Sequence, residues 1–359
     1  MRVLLAPDKF KGTLAAGQVA EHLAAGLWRA DPALDVRVVP VADGGEGTVD
    51  AACAAGFDRL VTTVTGPLGT PVRAMLAVRS ATAVVELAQA AGLGWGSSPM
   101  HATSYGVGEL ISLAMDLGCH RIVLGLGGSA CTDGGAGMLR ALGALVLDAD
   151  GVPVAPGGAG LTYADTLDLT GLDPRLSLVE LVLATDVDNP LSDAAPVYGP
   201  QKGASPRQVE LLAKALDRWA SVVGGDPMLP GSGAAGGVGY AALAVLGAVR
   251  RAGVEVLLEL LGFGEAVRDA ALVITGEGSL DAQSLRGKAP VGVARAARGV
   301  PVVAVAGVCS LTSDDLVGTG ISAAYALTDI EPDPARCRAR PGPLLERIAE
   351  RIVRDHLCC

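Results

Sequence analysis

The chain has 359 residues, enough for two domains or one large one, and with half of them apolar and 18% charged it is excluded from general disorder. The formal net charge of −10 argues against a nucleic acid or an anionic membrane as the main partner. Glycine supplies 49 residues with no collagen period, so the excess belongs to loops, where ligands bind.

In chain order, residues 2–6 form a short apolar run, and 16–29 carry helical spacing through Val19, Leu23 and Leu27. Residues 36–41 form a second apolar run, completing a β-α-β start. Each run ends in a polar, glycine-rich turn, 7–13 and 43–48. The rhythm then shortens to β-rich runs at 59–66, 71–79 and 83–87, the first two separated by a turn at 67–70, which predicts an antiparallel insert. A helix at 104–117, a strand at 121–126 and a long glycine-rich loop follow. Next come a strand at 178–184, a polar loop to residue 204 and a helix at 207–222. The uncharged stretch 227–249 holds Pro230 and five glycines in its first half, so it reads as a loop feeding a buried helix rather than a membrane span. The parallel pattern returns with a strand at 271–275, a helix at 288–298 and strands at 300–306 and 321–327. Residues 331–343 read as a Pro/Arg-rich linker, and 344–357 as a docking helix presenting Leu345, Ile348, Ile352 and Val353.

The expected architecture is α/β with two domains. Residues 1–62 plus 268–359 make a doubly wound parallel-sheet domain, and 63–267 an inserted mixed α/β domain, with the active site in the cleft between them. The seven cysteines form no C-x-x-C pair, and the N-terminus carries no apolar segment of signal length. Reduced thiols and a cytoplasmic location are the expectation.

Of 28 cationic residues only five are lysine. Lys9, Lys11, Lys202 and Lys288 nevertheless sit in short glycine-containing motifs, where a compact charge on a flexible stem suits a phosphate or carboxylate. No P-loop is present, since Gly287-Lys288 has Ala282 and Ala289 where the pattern needs Gly and Ser/Thr. The four histidines are scattered, which leaves no His-based metal site or triad. Gly231–Gly236 and Gly125–Ala130 resemble dinucleotide fingerprints, the second with Asp148 at the distance of a ribose-binding acid. An NAD(P)-dependent oxidoreductase acting on a small hydroxy acid is therefore a rival reading, as is a non-catalytic sugar-acid or nucleotide sensor.

Five polar turns dominate instead: 8–12, 43–48, 127–137, 185–190 with 199–205, and 275–288. They supply main-chain amides for phosphates, carboxylates for Mg²⁺ or for a hydroxyl proton, and lysines for anionic charge, which is the equipment of phosphoryl transfer. Capping of a following helix is the other reading of Asp43, Glu46 and Asp133.

Eight motifs occur in order: P-D-K-F-K-G-T-L from Pro7, A-D-G-G-E-G-T from Ala42, G-G-S-A from Gly127, D-G-G-A-G-M from Asp133, A-T-D-V from Ala184, N-P-L from Asn189, Y-G-P-Q-K-G-A from Tyr198 and T-G-E-G from Thr275. Together they resemble the type-1 bacterial glycerate kinase family over about residues 1–330. The resemblance implies ATP-dependent, Mg²⁺-requiring phosphorylation of D-glycerate, usually to 2-phospho-D-glycerate. It also implies a fold of two α/β domains, one of them Rossmann-like and discontinuous. The family more often has serine at the position of Lys9 and S-A-T-N-D where this chain has Ser129-Ala130-Cys131-Thr132-Asp133. On residue chemistry and motif position, Asp186 and then Asp43 are the candidate proton acceptors, with Lys11 as a catalytic cation. Lys202, Lys288, Gly127, Gly128, Ser129, Asp133, Gly134 and Gly135 are expected to bind phosphate or substrate. Glu46 and Glu277 are expected to hold Mg²⁺. ATP and glycerate are the expected small-molecule partners, and a homodimer is an open possibility.

Overall fold

Strand β1 (Arg2–Pro7) is buried from Val3 onward, on both of its faces. That is the mark of a central strand in a parallel sheet covered on two sides. The computed structural model describes residues 1–357, the side chain of Arg286 apart. After β1 come α1 (Ala16–Ala30), β2 (Asp35–Val38), α2 (Thr48–Ala54), β3 (Asp58–Thr65), β4 (Pro71–Arg79) and β5 (Thr82–Glu86). Then follow α3 (Leu87–Ala91), α4 (Tyr105–Asp116), β6 (Arg121–Gly125), α5 (Ala136–Ala141), β7 (Leu145–Leu147), β8 (Thr166–Asp168) and β9 (Glu180–Ala184). The middle closes with α6 (Pro206–Val223), α7 (Ala234–Ala244) and β10 (Val249–Arg251). The last part holds α8 (Gly253–Leu260), α9 (Phe263–Ala266), β11 (Leu272–Leu280), α10 (Ala289–Ala296), β12 (Val302–Cys309), β13 (Ala323–Ala326), α11 (Pro334–Ala339) and α12 (Pro341–His356). The chain divides into two compact units, one of Met1–Asp43, Asp50–Ala55 and Val254 onward, the other of Gly44–Val49 and Gly56–Gly253.

In the first unit a five-stranded parallel sheet runs β2-β1-β11-β12-β13. Counted within the unit this is the order 2-1-3-4-5, the flavodoxin-type doubly wound arrangement, rather than the 3-2-1 start of a dinucleotide-binding sheet. Val3, Leu5, Leu272, Ile274, Val303 and Val305 share one core with α1 and α12. Helix α10 packs along β11 and β1 on the side where Leu4 and Val273 are buried. Helix α12 buries Leu345, Ile348, Ile352 and Val353, each contributing about 1.5–3 kcal/mol. The rim ion pairs from Arg29 to Glu346 and Glu350 add little beside this.

The second unit is built on a six-stranded mixed sheet, β10-β9-β6-β5-β4-β3. Strands β3, β4 and β5 are antiparallel, as the insert pattern predicts, while β5, β6, β9 and β10 are parallel. Its core encloses Trp219 and Tyr240 completely.

Four sequence expectations need correction. The boundary expected at 62–63 falls inside β3, which pairs with β4 along its whole length, so the second unit resumes at Gly56. The return boundary expected at 268 lies earlier, because Val254 of α8 packs against Gly292 of α10, so closely that a Cβ there would come within 2.3 Å. The expected strand at 36–41 is regular only to Val38, although Val39 and Val41 still donate to the carbonyls of Leu5 and Pro7. The expected linker at 331–343 is helical: Asp333 caps α11 by accepting Ala335 N–H at 2.8 Å, and Pro334 and Pro341 stand in first turns, where a missing N–H costs nothing. Cys53, Cys119, Cys131, Cys309 and Cys337 are free thiols, while Cys358 and Cys359 lie outside the described residues. Among the described residues no helix is long and apolar enough to cross a membrane.

Candidate functional site

In the first unit the carboxyl ends of β1 and β11 meet where the strand order reverses, the usual ligand position of an open α/β sheet. Asp8 follows β1, and its N–H donates to the Gly276 carbonyl at 2.8 Å. Asp8 is 6% exposed, and its carboxylate accepts Lys9 N–H at 2.6 Å. Lys9 Nζ stands 3.8 Å from Asp8 and 4.0 Å from Asp43. Glu277, in β11, is buried, and its Oε1 has no hydrogen-bond partner among the described residues. Burial pushes the Asp8 carboxyl up to about 7, helped by Asp43 and Glu277 and opposed by Lys9. Burial also raises Glu277, against the pull of Ser284 and Lys288. Lys11 is exposed on the turn whose main chain lies against Gly278 of β11. Lys288 occupies the cap position of α10, its Nζ 3.4 Å from Gln283 Oε1.

No three His, Cys, Asp or Glu side chains among the described residues form a ready-made metal cluster. The orphaned Glu277 oxygen, with Asp43 close enough to raise its affinity for protons, fits a different kind of site. Mg²⁺ binds through one or two carboxylates together with waters and substrate phosphates, and a cation there would relieve both the missing partner and the mutual repulsion.

In the second unit residues 44–48 seat on the carboxyl ends of β6 and β9. Gly44 has φ +87°, and a Cβ on it would come within 2.2 Å of the Ala184 carbonyl. A Cβ on Gly127 would likewise come within 2.4 Å of Gly45 Cα, so this seam admits only glycine. Glu86, at the end of β5, accepts Gly47 and Val49 N–H at 3.1 and 3.2 Å and so fixes the start of α2. Gly127 is half-buried and Gly128 exposed, with Glu46 exposed beside Gly128. Ser129 is buried where the loop bridges to Gly92.

Farther along, the same loop is sealed. Asp133 is fully buried and takes five donors: Ser104 N–H at 2.8 Å, the Ser104 hydroxyl at 2.9 Å, the Thr103 hydroxyl at 3.4 Å, and Gly135 and Gly137 N–H at 3.2 Å each. Gly134 and Gly135 are buried against Trp219 and Ala241. Lys202 is 1% exposed, and its Nζ donates to the Cys131 carbonyl at 2.5 Å and the Thr132 hydroxyl at 3.4 Å. Burial holds its pKa below the usual lysine range. Asp133, Gly134, Gly135 and Lys202, expected to touch phosphate or substrate, are buried here, and Asp133 and Lys202 are hydrogen-bonded to the main chain that shapes the loop. Asp186 follows β9, half-buried, with Oδ1 accepting Gly253 N–H at 2.9 Å. Asn189 is held by Asp193 and by the Tyr198 hydroxyl, each at 2.6 Å.

Both dinucleotide fingerprints fail on geometry. Residues 231–236 are all buried, and Gly236 lies against the Cys131 carbonyl, which leaves no room for a pyrophosphate. Asp148 lies in a turn after β7, its Oδ1 accepting Asp150 and Val152 N–H at 3.0 and 2.9 Å. Asp8 and Glu86 are functional candidates that sequence reasoning passed over. Asp8 carried a signal, an acid directly after a buried strand at the sheet's C-terminal edge, whereas Glu86 carried none beyond ending a strand.

The Glycerate kinase family model matches residues 3–357. A glycerate kinase of Bacillus subtilis (strain 168) is 42% identical over 346 residues, covering 91% of this chain and 90% of its own. A glycerate 2-kinase of Escherichia coli (strain K12) is 43% identical over 332 residues, covering 88% and 86%. A crystal structure named glycerate kinase 2 from Salmonella typhimurium LT2 is 38% identical, with TM-score 0.83 and full coverage of both chains.

Proposed function

Because this chain belongs to the glycerate kinase family, we propose that it transfers the γ-phosphoryl group of ATP to the 2-hydroxyl of D-glycerate. The observation that carries the reading is the family match from residue 3 to residue 357, and the E. coli relative named glycerate 2-kinase supports the position of attack.

The reaction asks for three things: a proton acceptor for the hydroxyl, cations for the phosphate oxygens, and fixed positions for both reactants. Asp186 is the first candidate acceptor and Asp43 the second. Glu277 with Asp43, or Glu46, would hold Mg²⁺, which when bound neutralises charge on the transferring phosphoryl group. Lys11, exposed on its turn, is free to meet a phosphate oxygen or the glycerate carboxylate, and Lys288 adds charge at the head of α10. The exposed turn at Gly128 suits a phosphate, while Asp133 and Lys202 keep the rest of that loop fixed.

The test is phosphorus NMR of the product formed from ATP, Mg²⁺ and D-glycerate. The expected signal is that of 2-phospho-D-glycerate. Phosphorylation at the 3-hydroxyl overturns the regiochemistry, and ATP turnover that does not respond to D-glycerate overturns the substrate.

A further inference from the structure

In the first unit, along the edge strand β13 and at the carboxyl end of β12, lies a cavity of about 670 Å³ that the residues discussed so far do not use. Its volume is that of a small-molecule site. Leu311, Leu316, Ile321 and Ala324 give it apolar walls, and the hydroxyls of Thr312 and Ser322 line it as well. No lysine or arginine lines it among the described residues. Its charged lining residue, Asp329, accepts Ala326 N–H at 2.9 Å. Such a lining does not suit a phosphate or a carboxylate. It suits a flat, neutral heteroaromatic group with hydrogen-bonding edges. β13 is the last strand of its sheet, with a single strand neighbour, so its outer main-chain groups are available to such edges.

The position along the sheet agrees. Strands β11 and β12 stay in register from Val273↔Val302 to Leu280↔Cys309. Glu277 stands opposite Ala306, and Ala306 opposite Ala326, which lines the cavity two strands across from Glu277. At about 4.8 Å per strand the separation is roughly 10 Å, the order of the distance from base to terminal phosphates in an extended nucleoside triphosphate.

We propose that this cavity receives the purine base and ribose of the nucleotide, with the phosphates running along the strand ends toward Glu277. The inference rests on the kinase reading and adds to it where the nucleoside sits.

The experiment compares the full-length protein with Ala324→Phe and Ser322→Phe, each of which fills the cavity. Calorimetry with ADP and, separately, with inorganic tripolyphosphate reads binding, and melting without ligand reads folding. Both variants are expected to melt near the wild-type temperature, to bind ADP about tenfold or more weakly, and to keep their tripolyphosphate affinity. Folded variants that bind ADP as the wild type does overturn the proposal, and so does an equal loss for both ligands. Should a variant not fold, hydrogen exchange on the wild type decides: saturating ADP is expected to slow exchange across 311–326, and no slowing there overturns the proposal. A wild-type protein that turns over ATP with glycerate while the filled variants bind ADP normally defeats the cavity assignment alone. A wild-type protein that neither binds ADP nor phosphorylates glycerate defeats the kinase reading itself.

Discussion

The acidic cluster of the first unit and the sealed loop of the second use the same kinds of residue to opposite effect. In the first unit Asp8 and Asp43 crowd Lys9, one buried Glu277 oxygen has no partner among the described residues, and the Asp8 and Glu277 carboxyls are held above their ordinary range. Around Asp133 and Lys202 the charges are buried more deeply, yet they are met by donors from Thr103, Ser104 and the loop and by loop acceptors at Cys131 and Thr132. An unsatisfied buried acid has a standing cost that a ligand can remove, whereas a satisfied one has already been used to hold a shape. The contrast separates groups poised for chemistry from groups that position them.

The sharpest way to break the contrast is Asp43→Asn. If Asp43 serves the reaction, kcat falls about 10²–10⁴-fold while the melting temperature holds; a kcat near wild type removes Asp43 from the chemistry. Asp133→Ala acts the other way. It strips the acceptor from five donors, each about 1 kcal/mol or more, so denaturant titration is expected to read a loss on the order of 5 kcal/mol. Normal stability with lost activity would move Asp133 into the reacting group. The third effect is smaller and depends on pH. Asp8 keeps its proton to about 7 when folded, against 3.8 for the free carboxyl. Between those values the folded chain binds more protons than the unfolded one, so stability falls as pH rises. Without divalent cation, Asp8→Asn is expected to melt with the wild type near pH 4 and above it at pH 8, by roughly 2–4 kcal/mol. A difference that does not grow with pH means that the cluster is not strained.

Periodicity made most of the fold legible. Helix α1, the β3–β5 insert and the return of parallel strands at β11 and β12 stand within a few residues of their expected positions. The errors have local causes. Two prolines that open helices were read as breaking a linker, and a boundary was set at a change of rhythm inside β3. The glycine motifs mark the loops but not how deeply each residue within them is buried. Asp133 and Lys202 sit in motifs that look like ligand sites, because a charge that ties a loop and a charge that binds substrate have the same local spelling. Burial distinguishes them, and it depends on Ser104 and Cys131, which lie 29 and 71 residues away respectively. In the sequence Asp8 is masked by Lys9 and Lys11 beside it, and its burial shows only once β1 and β11 are side by side.

One feature of the topology bears on biosynthesis. β1 finds β11 across some 270 residues of chain, Val3 opposite Leu272, so the N-terminal segment leaves the ribosome long before its partner is translated. At about 5–20 residues per second that interval is tens of seconds. The intervening residues can fold around their own core in that time, while β1, α1 and β2 wait with an apolar face uncovered. A message truncated before β11 would therefore leave a finished middle and an orphaned beginning, a product suited to capture by chaperones or proteases.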